Sequence, residues 1–168
     1  FEFGEDSRLP VGAAEYDCVL SSQVLEHVPA PPSYLEEAHR VLRPGGTLLL
    51  STHGLFEDHA CPADYWRWTA YGLKKLVESA GFGVGTIRKL TTGPRATVFF
   101  AERTDYGSDY WRVARYYRAI LFGLRGLRAI SARRRHEACD ICFPAHRVVD
   151  FGEAGHETYV ALVLAARR

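Results

Sequence analysis

An α/β fold built on a parallel sheet is the reading that residues 16–52 impose, and two apolar runs flanking one amphipathic segment carry it. Tyr16-Asp17-Cys18-Val19-Leu20-Ser21 is a short apolar run closed by serines, the pattern of a buried core strand with a polar carboxyl end. Pro31-Pro32-Ser33 opens a segment in which Leu35, Ala38, Val41 and Leu42 recur at helical spacing, and Pro44-Gly45-Gly46 is expected to stop it. Thr47-Leu48-Leu49-Leu50-Ser51-Thr52 is a second continuous apolar run. Strand, helix and strand at this spacing form a βαβ crossover, which joins parallel strands.

The remaining elements follow in order. Ser21 to Val28 is a polar loop leaving the carboxyl end of the first strand, where open α/β sheets meet their ligands. Glu26 and His27 are expected on a short helical turn there. His27 is either a general base, since imidazole is poised near neutral pH, or a residue that orients the loop by hydrogen bonding.

After the second strand, residues 51–69 concentrate two histidines, two tryptophans, a tyrosine, an arginine and several acids. Tryptophan faces stack on sugar rings or cations, Arg67 can fork to a carboxylate or phosphate, and His53 or His59 can take a proton from an acceptor. The stretch reads as a substrate-side lid in which Asp64, Tyr65, Trp66, Arg67 and Trp68 bind the acceptor. The competing reading is that Trp66 and Trp68 plug the sheet edge while Thr69 caps the next helix. His53, His59, Cys61 and Asp64 are all capable of metal ligation, but their spacing fits no compact zinc pattern, and no metal is expected.

Thr69 to Ala80 is a helix by pattern, with Leu73, Leu76, Val77 and Ala80 on one face and Gly81 as its stop. Phe82 to Leu90 is a strand diluted by Gly83 and Gly85. Pro94 to Glu102 is read as helix, because Gly93-Pro94 is a good helix start. From Asp109 to about Ile130 an apolar stripe opposes Arg112, Arg115, Arg118 and Arg125, a basic amphipathic helix suited to packing against the domain, to a homodimer contact or to a membrane surface. Thr158 to Ala165 is a last apolar strand.

One domain is expected over residues 1–168, with 94–150 a mostly helical insertion. The net charge of +1 leaves no field for nucleic-acid steering by the whole chain, although basicity gathers in residues 104–135. Four cysteines, of which only Cys139 and Cys142 are closely spaced, argue against a secreted disulfide framework. Ahead of the first strand there is no signal-peptide pattern, and no uncharged apolar run approaches the ~20 residues a spanning helix needs. A cytoplasmic location is expected, with the inner face of the membrane as its peripheral variant.

The run from Asp17 through Leu25-Glu26-His27-Val28 to Val41-Leu42-Arg43-Pro44-Gly45-Gly46-Thr47 resembles the class I S-adenosylmethionine-dependent methyltransferases, especially the methyltransferase-type-11-like group. The resemblance implies a Rossmann-like sheet, partial and mostly parallel, with an antiparallel last strand preceded by a helical insertion. That last strand is expected between the family's fifth and sixth. The resemblance covers about residues 1–82, entered partway through the fold, so the chain reads as a carboxyl-terminal portion lacking the glycine-rich motif. Activity is therefore expected of the complete parent protein.

The family pattern also implies site residues. It puts Glu5 and Asp6 against the adenine of S-adenosylmethionine, and Ser21, Ser22 and Gln23 beside the cofactor near its sulfur. Its His-Gly, then His-x-x-Pro-x-Asp-Tyr-Trp-Arg-Trp-Thr arrangement looks like a branch found with glycan-assembly enzymes. The expected reaction is methyl transfer to a small or glycan-linked acceptor, most readily at oxygen, with His27, His53 and His59 as catalytic candidates. Two other classes fit the sequence: a non-catalytic methyltransferase-fold module for association or membrane attachment, and another Rossmann-like nucleotide-dependent enzyme.

Overall fold

The computed structural model describes residues 8–60, 63–103, 148–152 and 158–168. Among these residues five strands form one sheet: β1 (Tyr16–Ser22), β2 (Leu42–His53), β3 (Gly83–Thr92), β4 (Val148–Asp150) and β5 (Tyr159–Arg167), in spatial order β1-β2-β5-β3-β4. Among the described residues the helices are α1 (Pro31–Val41), α2 (Ala70–Ser79) and α3 (Pro94–Arg103), with a 3-10 turn at Leu25–His27.

β1 and β2 pair in parallel through α1, as the βαβ pattern requires. β5 runs antiparallel to both β2 and β3 and lies between them, with Leu50 opposite Leu164 on one side and Ile87 opposite Leu164 on the other. The antiparallel last strand thus takes its expected place. β3 forms despite its glycines, and the register shift between Val84 and Thr86 falls at Gly85, where the missing side chain lets the strand bulge.

The core lies on one sheet face. Leu35 from α1, Leu73 and Val77 from α2, Leu48 and Leu50 from β2, and Leu162 and Leu164 from β5 have essentially no exposure. Burial of each such leucine contributes about 1.5–3 kcal/mol. α2 starts on the hydroxyl of Thr69, which accepts from the Gly72 N–H, and closes at Gly81 in the left-handed region at φ 94°.

Two expectations need correction. β1 is not a buried core strand: it is the edge strand of the described sheet, and Tyr16, Cys18 and Leu20 are exposed. The core on which α1 and α2 pack lies over the face bearing Leu48 and Leu50, so Leu20 and Leu49 of the other face are open among the described residues. Helix α1 ends at Val41, ahead of Pro44-Gly45-Gly46, because Leu42 already turns to extended backbone at ψ 145° and opens β2. Within 94–150, α3 is helical as expected and residues 148–150 form a strand that pairs with β3, while residues 104–147 lie outside the described residues. The basic helix expected at 109–130 lies outside the described residues, as do Cys139 and Cys142.

Candidate active site

The carboxyl ends of β1 and β2 lie side by side, and the two loops leaving them build one site. Ser21 is buried and its hydroxyl accepts from Tyr34 of α1 at 2.9 Å. Ser22 and Ser51 share a hydroxyl contact at 3.2 Å. Gln23 turns the chain at φ 53°; its backbone N–H reaches Ser51 O and its side-chain amide donates to Ser51 Oγ. The Gln23 Oε1 acceptor is buried without a partner among the described residues. Glu5 and Asp6 lie outside the described residues.

Beyond Gln23 the 3-10 turn inserts Glu26 into the interior with no exposure. Its Oε2 accepts from the Thr52 hydroxyl at 2.8 Å, and Oε1 faces His53 Nε2 at 3.3 Å without hydrogen-bond alignment. Burial is the main force that lowers the His53 pKa; the Glu26 carboxylate opposes it and the His59 ring adds to it. His53 lies flat on Phe56, with ring centres 4.0 Å apart, and meets His59 edge-on at 4.8 Å; His59 in turn meets His27 edge-on at 4.9 Å. The three histidines therefore touch in one chain that ends at the buried carboxylate.

The loop after β2 is held in place from both sides. Tyr65 N–H donates to Glu26 O, the Trp66 indole N–H donates to Val28 O, and Trp68 N–H donates to His53 O. His27 Nδ1–H donates to Ala63 O at 2.6 Å, which leaves Nε2 as the other ring nitrogen available to a ligand. Gly54 is required at its place, because a Cβ there would lie 2.4 Å from the Tyr159 ring. The Tyr159 hydroxyl accepts from Ala70 N–H and donates to Trp68 O, tying the end of the loop to β5.

Arg67 is an internal clamp. Its guanidinium forks onto Asp64, and its remaining N–H groups reach Phe56 O, Glu57 O and Trp66 O, so all five donors are used within the loop. The same contact holds the Asp64 carboxyl well below the usual carboxylate range. Asp64 Oδ2 also accepts from the His59 N–H, fixing the imidazole's base. An acceptor-binding role for Arg67 and Asp64 accordingly has no free hydrogen-bonding fork to act through. Tyr65 and Trp66 keep exposed faces, whereas Trp68 stacks on Trp66 and packs against the core.

The histidines singled out from the sequence thus converge, but the carboxylate that organises them does not come from that set. Glu26 was legible only as half of the Glu26-His27 pair. Its signal was a carboxylate between Leu25 and Val28, where a solvated acid is out of place. Of the ligand-capable set His53, His59, Cys61 and Asp64, Asp64 is taken by Arg67, and Cys61 lies outside the described residues.

Comparison with known proteins agrees with this architecture. Residues 3–50 match the family described as "Methyltransferase domain". A protein of Mycolicibacterium smegmatis named "Probable S-adenosylmethionine-dependent methyltransferase" is 34% identical over 87 residues, which are 48% of this chain and 34% of that protein. The ubiquinone biosynthesis O-methyltransferase of Pseudomonas paraeruginosa is 45% identical over 38 residues, 23% of this chain and 16% of that protein. The matches therefore span about a third or less of these relatives' lengths. Among solved structures, the [4+2]-cyclase SpnF superposes with a TM-score of 0.50 at 20% identity, over 95% of this chain and 53% of that one.

Residues 3–50 are thus similar to the methyltransferase domain, and 87 residues of the chain are similar to a protein named as an S-adenosylmethionine-dependent methyltransferase. The likeness to a protein named a cyclase shows the fold alone, and this fold does not by itself fix a reaction.

Proposed function

We propose that the protein carrying this chain transfers a methyl group from S-adenosylmethionine to a hydroxyl of a small or glycan-linked acceptor. The observation that carries the reading is the Glu26-His53-His59-His27 cluster, set at the carboxyl edge directly beside Ser21-Ser22-Gln23. A cofactor fits there: the orphaned Gln23 Oε1 is a buried acceptor in want of a donor, and the left-handed turn at Gln23 presents backbone at the end of β1. Ser21, Ser22 and Gln23 would hold it, with Glu5 and Asp6 at its adenine. When bound, S-adenosylmethionine supplies an electrophilic methyl whose bonding pair stays with sulfur as the acceptor oxygen takes the carbon.

The chain's own part is alignment and deprotonation. Tyr65 and Trp66 offer exposed aromatic faces to the acceptor, while an imidazole of the cluster takes the hydroxyl proton. Arg67 and Asp64 keep the loop folded before the acceptor arrives, which reduces the ordering cost of binding. Oxygen as the methylated atom is supported by the similarity to the O-methyltransferase from Pseudomonas and by the proton-accepting cluster.

Titration calorimetry with S-adenosylmethionine, followed by S-adenosylhomocysteine release across hydroxylated acceptors, tests the proposal. Trp66→Ala is expected to cut acceptor turnover tenfold or more while the cofactor dissociation constant stays within twofold. A protein that binds neither S-adenosylmethionine nor S-adenosylhomocysteine is not a methyltransferase of this kind.

A further inference from the structure

We infer that Glu26, His27 and His59 form a binding site for one divalent transition-metal ion beside the carboxyl ends of β1 and β2. One ligand-capable atom from each residue lies within 4.8 Å of the others. Ligand atoms around a four-coordinate ion at 2.0–2.2 Å sit about 3.4 Å apart, so side-chain rotation of roughly an ångström closes the set.

Three further observations point to a cation. Glu26 has no exposure, yet among the described residues its carboxylate is met only by one hydroxyl and by an imidazole 3.3 Å away that is not aligned to donate. A buried carboxylate so sparsely matched is costly without a counter-charge. Oε1 of Glu26 and Nε2 of His59 are both buried without hydrogen-bond partners among the described residues. Finally, the outer contacts are those that orient metal ligands: His27 Nδ1–H is fixed on Ala63 O, leaving Nε2 to ligate, and Thr52 holds the far oxygen of Glu26.

Two imidazoles and a carboxylate select a borderline ion such as Zn2+, Co2+ or Fe2+ over Mg2+ and Ca2+, which prefer oxygen cages. Three protein ligands leave a position open to an acceptor oxygen. An ion there lowers the pKa of a bound hydroxyl, whose proton passes to His53 or water before the oxygen takes the methyl carbon. The site rests on its own geometry; its task of activating the acceptor rests on the methyl-transfer reading above.

Titration of the purified protein with Co2+ alone, followed by visible absorption and calorimetry, tests the site without any methyl transfer. One ion per chain is expected, with bands of nitrogen and oxygen donors and no thiolate charge-transfer absorption from a cysteine site. Glu26→Gln, which keeps an acceptor for Thr52, and His59→Gln should each weaken binding tenfold or more and abolish the rise in Tm that the ion gives the parent. If Glu26→Gln does not fold, His27→Gln, at a half-buried position, is the second ligand variant read by the same titration.

Binding unchanged in the folded variants, or thiolate absorption in the parent, overturns the site, as does the absence of binding below millimolar Co2+. Methyl transfer that persists undiminished after the ion is removed by a chelator overturns the activating role and leaves both the metal site and the methyltransferase reading standing.

Discussion

Glu37 shows how a single side chain can hold a strand of backbone against a helix. Its Oε1 accepts from Leu9 N–H at 2.7 Å, Arg40 donates to both carboxylate oxygens, and the same guanidinium reaches Val11 O. The segment Leu9–Val11 is thereby fastened to α1, and Glu5, the proposed adenine partner, lies just upstream in sequence. Hydrogen bonding to Arg40 is the main cause that holds the Glu37 carboxyl below its ordinary range. A carboxyl lowered in the folded state contributes stability that is complete above the unfolded value, about pH 4.3, and is lost as pH falls through the folded value. Glu37→Gln is therefore expected to lose about 1–3 kcal/mol at neutral pH and to flatten the acid limb below pH 4. Urea titrations of parent and variant at pH 7 and across the acid range provide the check, and parallel acid limbs would assign the acid sensitivity to other groups.

At the scale of elements, the loop between β2 and α2 is the decisive piece. Its start at Gly54 is pressed on Tyr159 and its end at Thr69 caps α2. Thr69→Ala should cost about 1 kcal/mol through loss of that cap, with Thr69→Ser nearly neutral, both read from the urea midpoint at constant slope. The cap and the helix boundaries were legible in the sequence because capping and amphipathic spacing are local signals. The site was legible in its members, His27, His53 and His59, but not in its centre. Glu26 meets Thr52 and His53 only because parallel pairing sets Ser22 beside Ser51, a long-range register that no local pattern displays. Arg67 misled for the opposite reason: a guanidinium amid aromatics suggests a ligand, and only the folded loop reveals that Asp64 and three carbonyls take every donor.

At the scale of the molecule, the sheet depends on its last strand. Leu164 of β5 is fully buried, and its strand bridges Leu50 of β2 and Ile87 of β3. Leu164→Ala is expected to destabilise by about 2–5 kcal/mol, since the cavity falls where both half-sheets meet. Chemical denaturation measures this, and a loss under 1 kcal/mol would mean that the two halves hold without β5. The fold class was readable from the apolar runs, but the exposure of β1 was not, because a hydrophobic run does not state which of its faces finds a neighbour. The place of β5 also has a consequence in time. β2 and β3 leave the ribosome before the strand that joins them, so the growing chain holds two sheet pieces with open inner edges until residues 159–167 are made. Pairings this distant in sequence close slowly, and unpaired edges recruit other chains. Synthesis is thus the interval in which this protein most needs shielding from its own copies.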